Sequence, residues 1–375
     1  MKLFEYQAKE LFREAGIDVP QGVLTDKHSD WPQQIPVPCV LKSQVLSGKR
    51  GKAGLIRFAD SLDKAKAEAG SLFTCNQGVK KILIEELINI DREIYLAITV
   101  DPVKAKALVI SCAEGGMEIE ELAASGGGAS DKIHYTSIDM VCGMANFQSR
   151  GIAYDMGFKG DTAKQIASVV EKLYGIFVKY DAELAEINPL FISKEGKVIA
   201  GDGKLIIDDN SIFRQKQFKI DRDYFTSDAE YESYLEGIPY LQFDGNIALM
   251  CAGAGLTTTV FDLVNYSGGK VSNYLEFGGA NYKKAVRAME LCLKNLNARV
   301  ILIVTFGTIA RADVMAEGIK SAIETLKPSV PVITCIRGTN EEAADAILRS
   351  CGLTPLYDTE EAVAQAVKIA KGKSL

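Results

Sequence analysis

Histidine is nearly missing from this chain: only His28 and His134 occur in 375 residues. One falls in a polar loop and the other beside a predicted strand, and neither sits in a nucleophilic or metal-binding constellation. No C-x-x-C spacing links the eight cysteines, and a chain this long does not need disulfides, so reduced and mostly buried thiols are expected. No stretch approaches eighteen consecutive apolar residues, which argues against a membrane-spanning helix. No block of like charges is long enough to act as a tail, and a formal net charge of −6 argues against nucleic acid held on a broad basic face. Any phosphate must therefore be met locally. The opening Met1-Lys2-Leu3-Phe4-Glu5-Tyr6-Gln7 lacks the apolar core of a signal peptide and the Arg/Ser-rich pattern of a transit segment, so a cytoplasmic location is expected.

What is present is enough apolar sequence, 47 %, to bury the cores of two or three domains. Apolar spacing predicts an amphipathic helix over Tyr6–Ala15, ended by Gly16, and a strand opening at Cys39 that runs into Lys42. Further strands are predicted over Ile82–Glu85, Ile94–Val100 and Ala105–Ser111, and a helix over Lys164–Tyr180, a mixed order that reads as α+β. Composition turns polar and charged through Asp223–Glu236, the expected boundary between a domain spanning 1–237 and one spanning 238–375. From Asn246 strands and helices alternate, which predicts a parallel sheet with crossover helices, and the chain as a whole is expected to be α/β. Small residues follow three of these strands, at Gly253-Ala254-Gly255, Gly278-Gly279 and Gly307, where open α/β sheets bind ligands.

Several residues could carry chemistry. Strands on either side of Ser193-Lys194-Glu195-Gly196 would form a hairpin that brings Asn188 and Asp202 together. One amide and one carboxylate suit hard Mg²⁺, which takes a few side-chain oxygens and fills its shell with phosphates and water. A turn-forming Asn is the alternative. The segment Ser47–Gly54 follows a strand and combines glycines with Lys49, Arg50 and Lys52, as a phosphate-covering loop around Gly51 requires, though basic glycine turns are also common on surfaces. Lys42, at the end of an apolar strand, needs an anionic partner, either a nucleotide phosphate or an internal carboxylate. Glu85 and Glu93 flank a strand pair that could hold a ribose or orient a lysine, or they are solvated surface charges.

Taken together, the motifs resemble the succinyl-CoA synthetase β-subunit family over nearly the whole chain. The resemblance rests on Leu3–Lys9, Lys42–Val45 with Gly51–Gly54, Glu114–Glu120, Glu186–Leu190, Asp209–Gln215 and Gly253–Leu256. It implies an ATP-grasp domain followed by a flavodoxin-like CoA-ligase domain. By the same resemblance, Lys42 and Lys49-Arg50-Gly51 contact phosphate, Glu85 and Glu93 line the nucleotide pocket, and Asn188 and Asp202 ligate Mg²⁺. Glu186 matches a carboxylate that faces a phosphorylated histidine. The family's substrates are ATP/ADP, CoA and a carboxylic acid. Its histidine and most of its CoA site lie on an α-type partner, in a heterodimer or heterotetramer, so the chain alone is expected to be inactive. Gly278 and Gly279 open a helix whose free N–H groups suit the phosphohistidine. Pro20 resembles the ATP-using forms.

Departures concentrate where the acid should bind. The family carries an Asn before Gly-Ala-Gly-Leu, and here Ala252 stands in its place. A Gly-Ile-Val stretch is replaced by Thr308-Ile309-Ala310. Both changes resemble the citrate-activating branch, whereas the length and amino-terminal half resemble the succinate enzymes. The expected acid is succinate, with citrate or malate as alternatives. A non-catalytic paralogue is disfavoured by the intact Lys42, Glu186, Asn188 and Asp202.

Overall fold

In a computed structural model, the structure describes residues 1–46, 50–75, 78–116, 132–220, 222–278, 284–307 and 311–372. The chain divides into two compact units, Met1–Lys219 and Ile220–Leu375.

The first unit holds two antiparallel sheets. One has strands β1 (Gly22–Asp26), β2 (Cys39–Ser43), β3 (Ile56–Ala59) and β4 (Lys81–Glu86) in the order β1-β4-β2-β3. Side chains alternate across a strand, so Cys39 and Leu41 of β2 point one way and Val40 and Lys42 the other. The first pair joins Ile82 and Ile84 against Ala65, Ala69 and Leu72 of the helix Leu62–Thr74. Lys42 therefore stands on the face away from that core. Every residue of β2 is nonetheless buried, so the second face is covered too.

The second sheet contains β5 (Ile90–Asp101), β6 (Lys106–Cys112), β7 (Ile133–Ile138), β8 (Ala182–Ser193), β9 (Val198–Ala200) and β10 (Lys204–Ile207). Its order is β10-β8-β5-β6-β7, with β9 on β8. The helix Gly160–Lys179 buries Ile166, Val170, Leu173 and Phe177, a stripe at helical spacing, and packs on β8 and β5. The expected hairpin is present: β9 pairs antiparallel to β8 with Leu190 opposite Ala200. The first helix of the chain runs Glu5–Glu14, and Gly16 follows it with φ +79°.

The second unit is a five-stranded sheet of β11 (Tyr240–Gln242), β12 (Ile247–Ala252), β13 (Val271–Leu275), β14 (Val300–Gly307) and β15 (Val332–Gly338), ordered β11-β13-β12-β14-β15. The strands β12 to β15 are parallel as expected, whereas β11 is an antiparallel edge that the alternation did not announce. Helices 285–294, 312–326 and 341–350 cover one face, and helices 254–266 and 359–370 cover the other. The charged helix Asp228–Glu236 belongs to this unit, where Arg287 binds Glu232 and Glu236 and Lys294 binds Glu232.

Candidate functional site

Six charged side chains from distant parts of the first unit meet around one backbone carbonyl. Glu5 and Lys9, one helical turn apart on Glu5–Glu14, are both buried. Lys42 and Glu85 share a face of the β2–β4 ladder as diagonal neighbours, since Val40 pairs Glu85 and Lys42 pairs Leu83. The hairpin delivers Gly201 and Asp202. Lys42 Nζ lies 3.0 Å from Glu5 Oε1, 2.9 Å from Glu85 Oε2 and 2.6 Å from the Gly201 carbonyl oxygen. Lys9 Nζ takes the same carbonyl at 2.8 Å, with Glu5 Oε1 at 2.9 Å and Glu85 Oε1 at 2.6 Å. An ammonium has three donors, so both lysines are saturated. Arg50 completes the cluster, reaching Glu5 through Nη1 and both oxygens of Asp202 through Nη2 at 2.8 and 2.7 Å.

Glycine is what allows the carbonyl so deep: a Cβ on Gly201 would stand 2.3 Å from the Phe191 ring. Three cations face three carboxylates, and the balance decides their protonation. Burial works to raise the Glu5 carboxyl, but Lys42, Lys9 and Arg50 outweigh it and hold it well below its ordinary 4.5. Burial works to lower Lys42, and Glu5, Glu85 and Asp202 push it above its ordinary value instead. Lys9 goes the other way, lowered by burial and by Lys42 against the pull of Glu5 and Glu85. Asp202, whose side chain keeps 31 % of its surface open, is raised by desolvation and by Glu5 in spite of Arg50.

A second group gathers on β5 and β8. Glu186 and Asn188 lie on the half-open face of β8, while Ala185 and Ile187 point into the core. Tyr95 donates its hydroxyl to Glu186 Oε2 at 3.2 Å, and Lys204 pairs opposite Glu186 on β10. The Gly116 amide donates to Asn188 Oδ1 at 2.9 Å, and Gly115 donates to the Glu93 carbonyl at 2.8 Å. Gly116 has φ +76°, and a Cβ there would fall 2.1 Å from Glu93 Oε2. Glu93 and Asn188 thus close on one glycine. Pro189 O receives the amides of Gly201 at 3.0 Å and Asp202 at 3.4 Å, which ties β8 beside Asn188 to Asp202.

In the second unit, Ala252 ends β12 with 9 % of its surface exposed. The Glu276 carboxylate accepts from the Gly253 amide at 3.0 Å and the Gly278 amide at 2.8 Å, joining the ends of two strands. Lys49, Gly279, Thr308, Ile309 and Ala310 lie outside the described residues. Gly51 is exposed in the turn after Arg50. Among the described residues no group of three or more His, Cys, Asp or Glu could hold a metal, and no helix is long and apolar enough to cross a membrane.

Sequence reasoning assigned no separate role to Glu5, Lys9, Gly116, Gly201 and Glu276. A signal existed for two of them: Glu5 and Lys9 place opposite charges on the buried side of an amphipathic helix, where an unpaired charge is costly.

Comparison with known proteins agrees with this two-part architecture. The ATP-grasp domain family matches residues 2–192 and the CoA-ligase family matches residues 250–369. An ADP-forming sulfoacetate–CoA ligase subunit of Bilophila wadsworthia is 59 % identical, covering 100 % of both chains, and one from an Acholeplasma species is 54 % identical, covering 100 % of this chain and 92 % of its own. The β subunit of an ADP-forming succinate–CoA ligase from Pyrobaculum islandicum is 37 % identical over 99 % of this chain and 100 % of its own. Among solved structures, an ATP citrate lyase from Methanothrix soehngenii in complex with citrate and coenzyme A superposes with a TM-score of 0.73 over 99 % of each chain at 18 % identity, a likeness of fold.

Proposed function

The chain belongs to the ADP-forming CoA ligases, enzymes that use ATP with Mg²⁺ and CoA, and from that premise we propose that it is the nucleotide-binding subunit of a sulfoacetate–CoA ligase. The observation that carries the reading is more than 50 % identity, along the whole chain, to two subunits named for sulfoacetate. Ala252, in place of the Asn expected for a succinate pocket, agrees with a changed acid. Succinate remains the second reading, favoured by the relatives named for it.

The reaction is sulfoacetate + CoA + ATP giving sulfoacetyl-CoA + ADP + phosphate. A phosphohistidine passes its phosphoryl group to a carboxylate oxygen, the CoA sulfur then attacks the carbonyl carbon, and the C–O bond breaks to release phosphate. ATP restores the phosphohistidine. Neither His28 nor His134 belongs to the charge cluster, and the relatives are themselves subunits, so an α-type partner supplies this nucleophile.

In this chain the Asp202 carboxylate and the Asn188 carboxamide offer oxygens tied to one hairpin, a donor set that fits Mg²⁺. Mg²⁺ held there supplies neutralisation of nucleotide phosphate charge. Arg50 uses Nη1 on Glu5 and the Ser43 carbonyl and Nη2 on Asp202, so its Nη2 would be released for phosphate if Asp202 held the metal. Lys42 reaches phosphate only by giving up one of its three partners, while Lys9 holds Glu85 in place. Glu186, anchored by Tyr95, faces the incoming phosphohistidine.

The test is CoA-dependent release of ADP from ATP by this chain co-purified with its α-type partner, across sulfoacetate, succinate, citrate, malate and acetate. Turnover with sulfoacetate well above the others is expected. Preference for succinate would return the assignment to the second reading, and no turnover with any acid would remove both.

A further inference from the structure

Thr305 on β14 is fully buried, and its hydroxyl has no hydrogen-bond partner among the described residues. An unpaired buried hydroxyl opposes folding, so its position invites an explanation. The parallel ladder pairs Thr305 directly with Ala252 on β12. The alternation of the sheet puts both on one face, because Ala248, Met250 and Ala252 share a core with Ile301 and Ile303. Beyond this pair Gly253 is exposed, while Gly307, the next residue of β14 on the face of Thr305, is buried and the half-exposed Phe306 points to the other face. The edge is the carboxyl end of the sheet, where ligands of open α/β folds bind. Ile336 of β15 flanks Thr305 on its other side, so of its two register partners Ala252 is the small one.

We propose that Thr305 donates a hydrogen bond to the distal acid group of the substrate, on the side of the small Ala252. The inference rests on the reading of the chain as part of an acid–CoA ligase. A sulfonate or carboxylate oxygen supplies the acceptor the hydroxyl lacks, and the reacting carboxylate stays toward the open edge and the phosphohistidine. A second buried threonine provides the contrast. Thr334 on β15 also has an unpartnered hydroxyl, but its register partner is Ile303, two residues deeper in the sheet than Thr305. Further from the carboxyl end of the sheet, it serves as a control for an unpaired hydroxyl in the same core.

The experiment compares Thr305→Val, Thr305→Ser and Thr334→Val in the complex with the α-type partner. Thr305→Val keeps the shape and removes the hydroxyl. It is expected to raise KM for the acid by about ten- to a hundredfold, with KM for ATP and CoA unchanged. Thr305→Ser and Thr334→Val should keep the acid KM of the native complex. Since the hydroxyl is unpaired in the free protein, Thr305→Val should melt at the native temperature or above it, whereas a structural hydroxyl would lower it. An acid KM within twofold of native, or an equal rise in Thr334→Val, overturns the proposal. If Thr305→Val does not fold, Thr305→Ala gives the same readout. The kinetics use whichever acid the native complex accepts, so a failure of the sulfoacetate reading shows in the native enzyme, and a failure at Thr305 shows only in the variant.

Discussion

Arg50 Nη2 sits 2.8 and 2.7 Å from the two oxygens of Asp202, so the guanidinium occupies the carboxylate that the proposed metal would need. If Asp202 ligates the metal as proposed, binding of Mg-nucleotide is an exchange and Mg²⁺ dependence enters at Asp202. Asp202→Asn keeps a side chain of the same size but removes the charge. Calorimetry with ADP should give native affinity that rises at least about tenfold from EDTA to Mg²⁺, the scale of one charge-assisted contact. In Asp202→Asn the ratio should fall to near one. A preserved ratio would place the metal elsewhere.

Glu5 is the carboxylate that Lys9, Lys42 and Arg50 share, and replacing it with Gln leaves a buried excess of positive charge. Loss of one partner from a buried ion network costs about 3–5 kcal/mol. The pH dependence has a definite sign. Because the folded-state pKa of Glu5 lies below its ordinary 4.5, its contribution is complete above that value and is lost as pH falls through it toward the folded pKa. Urea unfolding from pH 7 down to pH 3 should show a drop in the native chain that is shallower in Glu5→Gln. Equal slopes would mean that Glu5 does not control acid stability.

Gly116 has no room for a side chain. With φ +76° and Glu93 Oε2 at 2.1 Å from a would-be Cβ, Gly116→Ala must push aside Glu93 or break the hydrogen bond that the Gly116 amide donates to Asn188. Left-handed strain alone costs about 1–3 kcal/mol. The expected result is weaker ADP binding with an intact second unit, read by calorimetry and by circular dichroism. Native ADP affinity in Gly116→Ala would show that the Glu93–Asn188 clamp does not shape the nucleotide site.

Ala252→Asn places an amide beside Thr305. In competition between acids, kcat/KM for succinate relative to sulfoacetate should rise about tenfold or more, the value of one hydrogen bond to a charged group. An unchanged ratio would mean that position 252 does not set acid preference.

The Asn188–Asp202 hairpin could be read from the sequence because proline, a polar turn and alternating apolar residues mark both of its strands. Lys42 could be read as a buried lysine, and each alternative for its anion kept its physical sense: here the partners are Glu5 and Glu85. What could not be read was convergence. Nothing local to Glu85 indicates Lys9, which arrives from another element, and the carbonyl both lysines share belongs to a glycine with no side chain to announce it. Strand β11 escaped notice because three residues at a sheet edge are too few to establish a period. The parallel core of the second unit was legible because Val300–Val304 and Ile247–Ala252, buried on both faces, form continuous apolar runs.

The carbonyl of Gly201 also sets a schedule for synthesis. Lys9 leaves the ribosome 192 positions ahead of it, an interval of roughly 10–40 s at ordinary elongation rates. Through that time the first helix carries a cation whose final acceptor does not yet exist. Glu5 and Glu85 can pair with it sooner, but its third acceptor is missing, so the amino-terminal helix is expected to seal fully against β2 and β4 once the hairpin is made. Nascent chains halted before Gly201 should therefore keep this helix open to protease, and those halted after the hairpin has emerged should close it.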